Sequence, residues 1–272
     1  MDIKEKYENL REIIRPLVRV VVAFSGGVDS TLLLKVCLDV LGRENVLAFI
    51  GTSPVHPARE TREAINLAHQ FGADYVVVES SEMENPNFTA NPQDRCYHCK
   101  SGLLDQIREV ARVRNFARIV EGSNIDDESD YRPGSRAVKE KAVLSPLKEA
   151  GLTKNNIRDL SRILGLPTHD KPSSACLASR IPYGTIITRD ILKQVQLSEE
   201  FLKALGLGQV RVRYHGSVAR IEVEDNDINR IMENRPEICG KLKTLGFSYV
   251  TLDLKGYRTG SLNETPSGSL EL

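Results

Sequence analysis

Three groups of residues in this chain have the types and spacing that chemistry requires. The first is Ser25-Gly26-Gly27-Val28-Asp29-Ser30-Thr31, set between an apolar run and a helical pattern. Two glycines let the backbone approach an anion closely, and the amides of the following helix N-terminus point at the same place. The Ser25 and Ser30 hydroxyls add donors for phosphate oxygens. Asp29 is out of place in an anion site unless a Mg²⁺ ion stands between its carboxylate and the phosphate. The loop has neither the lysine nor the longer spacing of a Walker loop.

The second group is thiols. Cys96 and Cys99 form a Cys-x-x-Cys flanked by Arg95, His98 and Lys100, and neighbouring cations favour the thiolate. Cys176 stands in Ser173-Ser174-Ala175-Cys176-Leu177-Ala178-Ser179-Arg180. Three thiolates suit three irons of a [4Fe–4S] cluster, with the fourth iron open for a terminal sulfide. Zinc with His98 as fourth ligand, or catalytic thiols without metal, are the competing readings. Cys37 and Cys239 sit in helical patterns and read as small buried hydrophobes. The third group is polar. Arg211 and Arg213 are one strand period apart, placing two guanidiniums on one face for a phosphate or carboxylate. A solvated sheet face is the plainer alternative, and Glu199 on the preceding helix either pairs with them or is exposed. In the acidic loop 122–134, Asp130 and Arg132 are the leading candidates for substrate or metal contact.

The elements that must position these groups alternate. Arg19–Phe24 reads as a buried strand, Val46–Ile50 and Asp74–Val78 as further strands, and Arg118–Val120 leads a fourth. Between them, Ser30–Leu41 and Pro57–Phe71 read as helices. Such alternation predicts a doubly wound, mostly parallel α/β sheet, with ligands beyond the carboxyl ends of the strands. From Thr188 onward the pattern changes to a helix, a hairpin at His215-Gly216-Ser217, a helix over 227–245 and a last strand. This is a smaller α+β domain. The boundary is expected in the Pro-, Ser- and Gly-rich stretch Lys171–Thr188, giving domains 1–184 and 185–272.

The 272 residues carry 37 basic and 37 acidic side chains, which removes the bulk electrostatic case for nucleic acid or a membrane surface. Five cysteines, an odd number, without a signal-like start argue against a disulfide framework and for a cytoplasmic protein.

The loop resembles the SGGxDS signature of PP-loop ATP pyrophosphatases, which implies cleavage of ATP between its α- and β-phosphates. Together with DDESDYRPG, CLASRIPYGT, VRVRYH and YVTLDLKGYRTGSLN, the chain resembles the LarE family over nearly its whole length. That resemblance implies a sulfur transferase acting on pyridinium-3,5-biscarboxylic acid mononucleotide, whose carboxylates are adenylated and converted to thiocarboxylates for the nickel-pincer cofactor of lactate racemase. It also implies that Ser25, Gly26, Gly27, Asp29 and Ser30 hold ATP and Mg²⁺. By the same resemblance Cys176, with Ser179 and Arg180 beside it, carries the sulfur chemistry, and Arg211, Arg213 and Glu199 hold phosphate or metal near the substrate. In part of the family Cys176's counterpart is spent, becoming dehydroalanine. The added Cys96 and Cys99 resemble the three-cysteine members, which look like carriers of a [4Fe–4S] cluster. The resemblance further implies a homo-oligomer, a hexamer, fed by a sulfur-donor protein or free sulfide. The rival readings are a tRNA thiolase or ammonia-using amide ligase of the same class, and a non-catalytic nucleotide or iron–sulfur sensor.

Overall fold

The computed structural model describes residues 2–128, 133–172 and 175–258. Two compact units emerge, Met1–Ser174 and Ala175–Leu272. Residues 175–184, counted with the first domain on sequence, therefore group with the second unit, because the Arg180 side chain is satisfied there.

In the first unit the order is α1 (Ile3–Ile14), β1 (Val20–Ala23), α2 (Val28–Leu41), β2 (Val46–Thr52), α3 (Ala58–Gln70) and β3 (Asp74–Glu79). It continues with α4 (Pro86–Thr89), α5 (Arg95–Val113), β4 (Arg118–Val120), α6 (Gly134–Glu140), α7 (Pro146–Glu149) and α8 (Lys154–Ile163). The four strands are parallel, in the order β3-β2-β1-β4. Strand growth runs outward from β1 to β3 and then resumes on the other side of β1. The gap between β1 and β4 is thus a topological switch point, where open α/β sheets leave a crevice.

Period-two alternation divides the strands between two cores. Val20, Val22, Val46, Ala48 and Ile50 pack with residues of α1, α2 and α8. Val21, Leu47 and Phe49 pack against Leu104 and Ile107 of α5. Helices therefore cover both faces, the doubly wound class expected. Helix α2 is buried on almost every side, which explains its apolar run Leu32-Leu33-Leu34. Helix α8 starts at a capping box, Thr153 with Asn156. Helix α5 was not anticipated by the sequence reading, although Leu104, Ile107 and Ala111 mark its buried face.

The second unit contains α9 (Arg189–Ala204), β5 (Val210–His215), β6 (Val218–Val223), α10 (Ile228–Glu233), α11 (Arg235–Thr244) and β7 (Tyr249–Leu252). Thr188 caps α9, its hydroxyl accepting from the Ile191 amide at 3.2 Å. Strands β5 and β6 are antiparallel and join through Gly216, at φ 64°, and Ser217. Strand β7 adds parallel to β6. The single helix expected over 227–245 is two helices meeting at Asn234, since Pro236 in the first turn of α11 lacks the amide to continue α10. Val210, Val212, Ala219, Ile221 and Val223 make the core face of this sheet with Leu202 and Leu242. Arg211, Arg213 and Glu222 occupy its other face.

Candidate active site

The phosphate loop emerges from β1 at the switch point. Its hydroxyls are gathered inward: Ser25 Oγ lies 3.1 Å from Ser30 Oγ, and the Gly27 amide donates to Ser25 Oγ at 3.4 Å. No side chain caps the N-terminus of α2, so its first amides remain directed at the loop. Gly26 has φ 69°, and a Cβ there would meet Ala64 Cα and Cβ at 3.0 Å, so α3 packs directly on the loop. A Cβ on Gly122, just after β4, would meet the Ser30 amide nitrogen at 3.1 Å. Glycine at these two positions is what allows β4 and α3 to press around the loop.

A cavity of about 320 Å³ opens here, lined by Ser25, Asp29, Ser30, Cys99, Lys100 and Glu121 among others. That is within the usual range for a small-molecule site. The lysine missing from the loop is replaced by lysines from elsewhere in the chain. Lys154 Nζ pairs with Asp29 Oδ2, and Asn124 Nδ2 donates to Asp29 Oδ1 at 3.3 Å. Lys171 Nζ donates to the Gly26 carbonyl and to Glu63, both at 3.0 Å. Lys100 Nζ lies 3.1 Å from Glu121. Burial pushes the Glu121 carboxyl up, but Lys100, the Ser145 hydroxyl at 2.6 Å and the Ser123 amide at 3.1 Å outweigh it and hold the pKa below the ordinary glutamate value. His56, also on the cavity wall, is pushed down by burial, against a weaker upward pull from Glu60 and Glu82, so its imidazole is neutral at physiological pH. The sequence does not mark Lys154, Lys171 or Glu121 as parts of this site, and it presents Lys100 only as a cation beside the thiols. The one available signal was the loop's own lack of a cation beside Asp29.

Cys96 and Cys99 occupy the first turn of α5, three residues apart and so on one side of the helix. Cys96 is exposed and Cys99 half-buried on the cavity wall. No disulfide joins the described cysteines. Within each unit, among the described residues, no three His, Cys, Asp or Glu side chains gather as a metal site. Cys37 is wholly buried, and that burial pushes its thiol above the range of useful reactivity, as expected of a core cysteine. Of the acidic loop, Asp127 accepts from the Asn124 amide and Asp126 from the Lys154 amide. Asp127 also lines the cavity. Asp130 and Arg132 lie outside the described residues.

The second unit contains a different apparatus. A single 3₁₀ turn, Leu177–Arg180, follows Cys176. Arg180 is buried and forms a two-point pair with Glu199, Nε to Oε1 at 2.8 Å and Nη2 to Oε2 at 3.0 Å. Its remaining nitrogen, Nη1, donates to the carbonyls of Ala175 and Cys176 and to Ser179 Oγ at 2.8 to 3.1 Å. Arg180 thus fixes the backbone that carries the Cys176 thiol. Glu199 Oε1 also accepts the Val212 amide at 3.1 Å, binding α9 to β5.

Arg213 forms a two-point pair with Glu222 at 2.8 and 3.0 Å and donates to the Ser179 carbonyl at 2.7 Å. Arg211 and Arg213 are 6% and 5% exposed, so the solvated-face alternative is wrong: the polar side of this sheet is covered. Nor does Glu199 pair with Arg211 or Arg213, since Arg180 takes both its oxygens. Arg211 is left with the Val210 carbonyl at 2.9 Å, Gln209 at 3.5 Å and the Tyr257 ring at 5.2 Å. Burial, then the proximity of Arg180, hold its guanidinium below its ordinary value. Of the three arginines it alone carries no carboxylate among the described residues, an arrangement suited to an incoming anion.

The switch-point crevice, the SGGVDS loop and the cavity around it define the chain as an ATP-using α/β enzyme of the PP-loop class. The NAD synthase family model matches residues 5–119. An uncharacterized protein of Synechocystis sp. is 43% identical over 96% of this chain and 98% of its own. The pyridinium-3,5-bisthiocarboxylic acid mononucleotide synthase of Lactiplantibacillus plantarum is 38% identical over 96% of this chain and 94% of its own. An NH(3)-dependent NAD(+) synthetase of Archaeoglobus fulgidus is 26% identical over 64% of this chain and 74% of its own. The chain belongs to the LarE family of ATP-dependent sulfur transferases. No described helix is long and apolar enough to cross a membrane.

Removing Glu199 strands the Arg180 charge in a buried position. Glu199→Ala is expected to cost about 3 to 5 kcal/mol, read from the urea midpoint of the full chain. A midpoint within experimental error of the parent would show that Arg180 finds other compensation.

Proposed function

We propose that the chain adenylates the carboxylates of pyridinium-3,5-biscarboxylic acid mononucleotide and replaces their oxygen with sulfur. The observation that carries this reading is the presence of Cys99 on the wall of the cavity lined by Ser25, Asp29 and Ser30. Thiol and phosphate loop face one space. The name of the Lactiplantibacillus relative supports the substrate.

ATP binds with its pyrophosphate against the loop amides and the Ser25 and Ser30 hydroxyls. Mg²⁺ fits Asp29, because the carboxylate already carries a cation, the Lys154 ammonium. This ion needs only one or two protein carboxylates when phosphates supply the rest. The substrate carboxylate attacks the α-phosphorus and pyrophosphate leaves, giving an acyl-adenylate. Carboxylate oxygen is a poor leaving group, and AMP in its place is a good one. Sulfur then attacks the acyl carbon and AMP departs. Arg211 holds the substrate phosphate, remote from the reacting carbon, and its contribution is to capture of the substrate. Arg180 and Arg213 keep the Cys176 segment in position and are positioning residues.

Cys96 and Cys99, three residues apart on α5, are the two thiols of the first unit available to an iron–sulfur cluster. Cys96, Cys99 and Cys176 would hold it, and when bound it supplies sulfide for repeated transfer. Without it, the Cys176 thiolate displaces AMP to form a thioester, and loss of its α-proton with cleavage of its Cβ–Sγ bond leaves the thiocarboxylate and dehydroalanine. The sulfur source is free sulfide or a donor protein, and the working form is a homo-oligomer. An RNA substrate is disfavoured by the balance of 37 basic and 37 acidic residues.

Two outcomes are expected. Pyrophosphate release from ATP should require the biscarboxylic mononucleotide, with iron and acid-labile sulfide near four per chain after anaerobic purification and lost in Cys96→Ser, Cys99→Ser and Cys176→Ser. No iron after reconstitution would leave Cys176 as a spent donor, and pyrophosphate release without substrate would remove the adenylation. Arg211→Ala should raise KM for the mononucleotide about tenfold or more with kcat largely kept, the mark of lost uniform binding. An unchanged KM would take the phosphate away from Arg211.

A further inference from the structure

The carboxylate of Asp29 and the ammonium of Lys154 are joined across 125 residues of sequence. We propose that Lys154 is a phosphate-binding residue of the ATP site, held on Asp29 until nucleotide arrives, and that it makes metal binding at Asp29 conditional on ATP. The inference rests on the ATP reading above and goes beyond it by assigning a residue and an order of events.

Four observations carry it. The phosphate loop, Ser25 to Thr31, contains a carboxylate and no cation of its own. Lys154 Nζ covers Asp29 Oδ2, and among the described residues Asp29 is its one partner. The base of Lys154 is fixed, since it is the first residue of α8, follows the Thr153 cap, and donates its own amide to Asp126 at 2.7 Å. The two side chains are 30% and 23% exposed, so the ammonium is anchored at its base and free to move at its tip. A compact charge on a four-carbon stem suits such an exchange better than a planar guanidinium, which is most effective in fixed two-point pairs. Arg180 and Arg213 take that second role in this chain.

With nucleotide absent, the ammonium neutralises Asp29 and repels a bare divalent ion. ATP brings both negative charge and its own metal. The metal takes the carboxylate, and Lys154, displaced from it, turns to the phosphates beside Asp29. There it stabilises the charge that grows on pyrophosphate as the α–β bond breaks.

The test uses the full chain, Mn²⁺ as a spectroscopic probe, and nucleotide titrations with Mg²⁺. Lys154→Gln should bind Mn²⁺ alone about tenfold more tightly than the parent, the effect of removing one nearby charge at partial exposure. It should bind ATP about tenfold more weakly, and AMP, which has no pyrophosphate, equally well. Lys154→Arg should retain the weak Mn²⁺ binding. Equal Mn²⁺ affinities in parent and Lys154→Gln, or undiminished ATP affinity in the variant, would overturn the assignment. A parent chain that takes Mn²⁺ but no ATP would strike the nucleotide reading instead, with the Mn²⁺ comparison still deciding whether Lys154 guards Asp29.

Discussion

A carboxylate placed at the mouth of a phosphate loop must be answered by a cation. At Asp29 the cation is Lys154, brought from the start of α8. Asp29 sits in the first turn of α2, beside the helix N-terminal amides and the hydroxyls of Ser25 and Ser30. Its charge opposes theirs. Lysines 100, 154 and 171 come from three other segments, each paired to an acid within the unit. The sheet order that leaves a crevice between β1 and β4, and the glycines at 26 and 122 that let neighbouring elements close on the loop, bring these distant charges within reach.

The second unit handles charge differently. Four guanidiniums lie on or against the polar face of one small sheet: Arg180 and Arg213 form two-point pairs with buried glutamates, and Arg220 shares Glu222 with Arg213. Such pairs contribute little net stability, because desolvation offsets most of the attraction, but they specify geometry. The geometry specified is that of the backbone at Cys176. Arg211 alone among them carries no carboxylate among the described residues.

Much of this was legible in the sequence. The central strands β1 and β2 announced themselves as apolar runs, and the helix after the SGGVDS loop as an apolar stretch, because all three are buried on both sides. Thr188 marked the start of α9 and Gly216 the hairpin. The loop and the thiols could be named because glycine, serine and cysteine in those spacings have few other uses. The lysine partners could not. A lysine at the start of α8 looks like any surface lysine until the fold carries it to Asp29, 125 positions away in the chain. The sequence leaves Glu199 either paired with Arg211 and Arg213 or exposed; it is neither, because the turn at 177–180 packs Arg180 onto α9. Strand period shows which side chains share a face and says nothing of which carboxylate each will find.

The central claim is that ATP activates a substrate carboxylate by forming a bond from carboxylate oxygen to the α-phosphorus. The most direct measurement supplies the biscarboxylic mononucleotide with ¹⁸O in its carboxylates, together with ATP, and follows the isotope in the AMP released once sulfur has been transferred. One ¹⁸O per AMP is the result expected, since AMP must leave with the oxygen it removed. Unlabelled AMP, or label found only in pyrophosphate, would contradict the account.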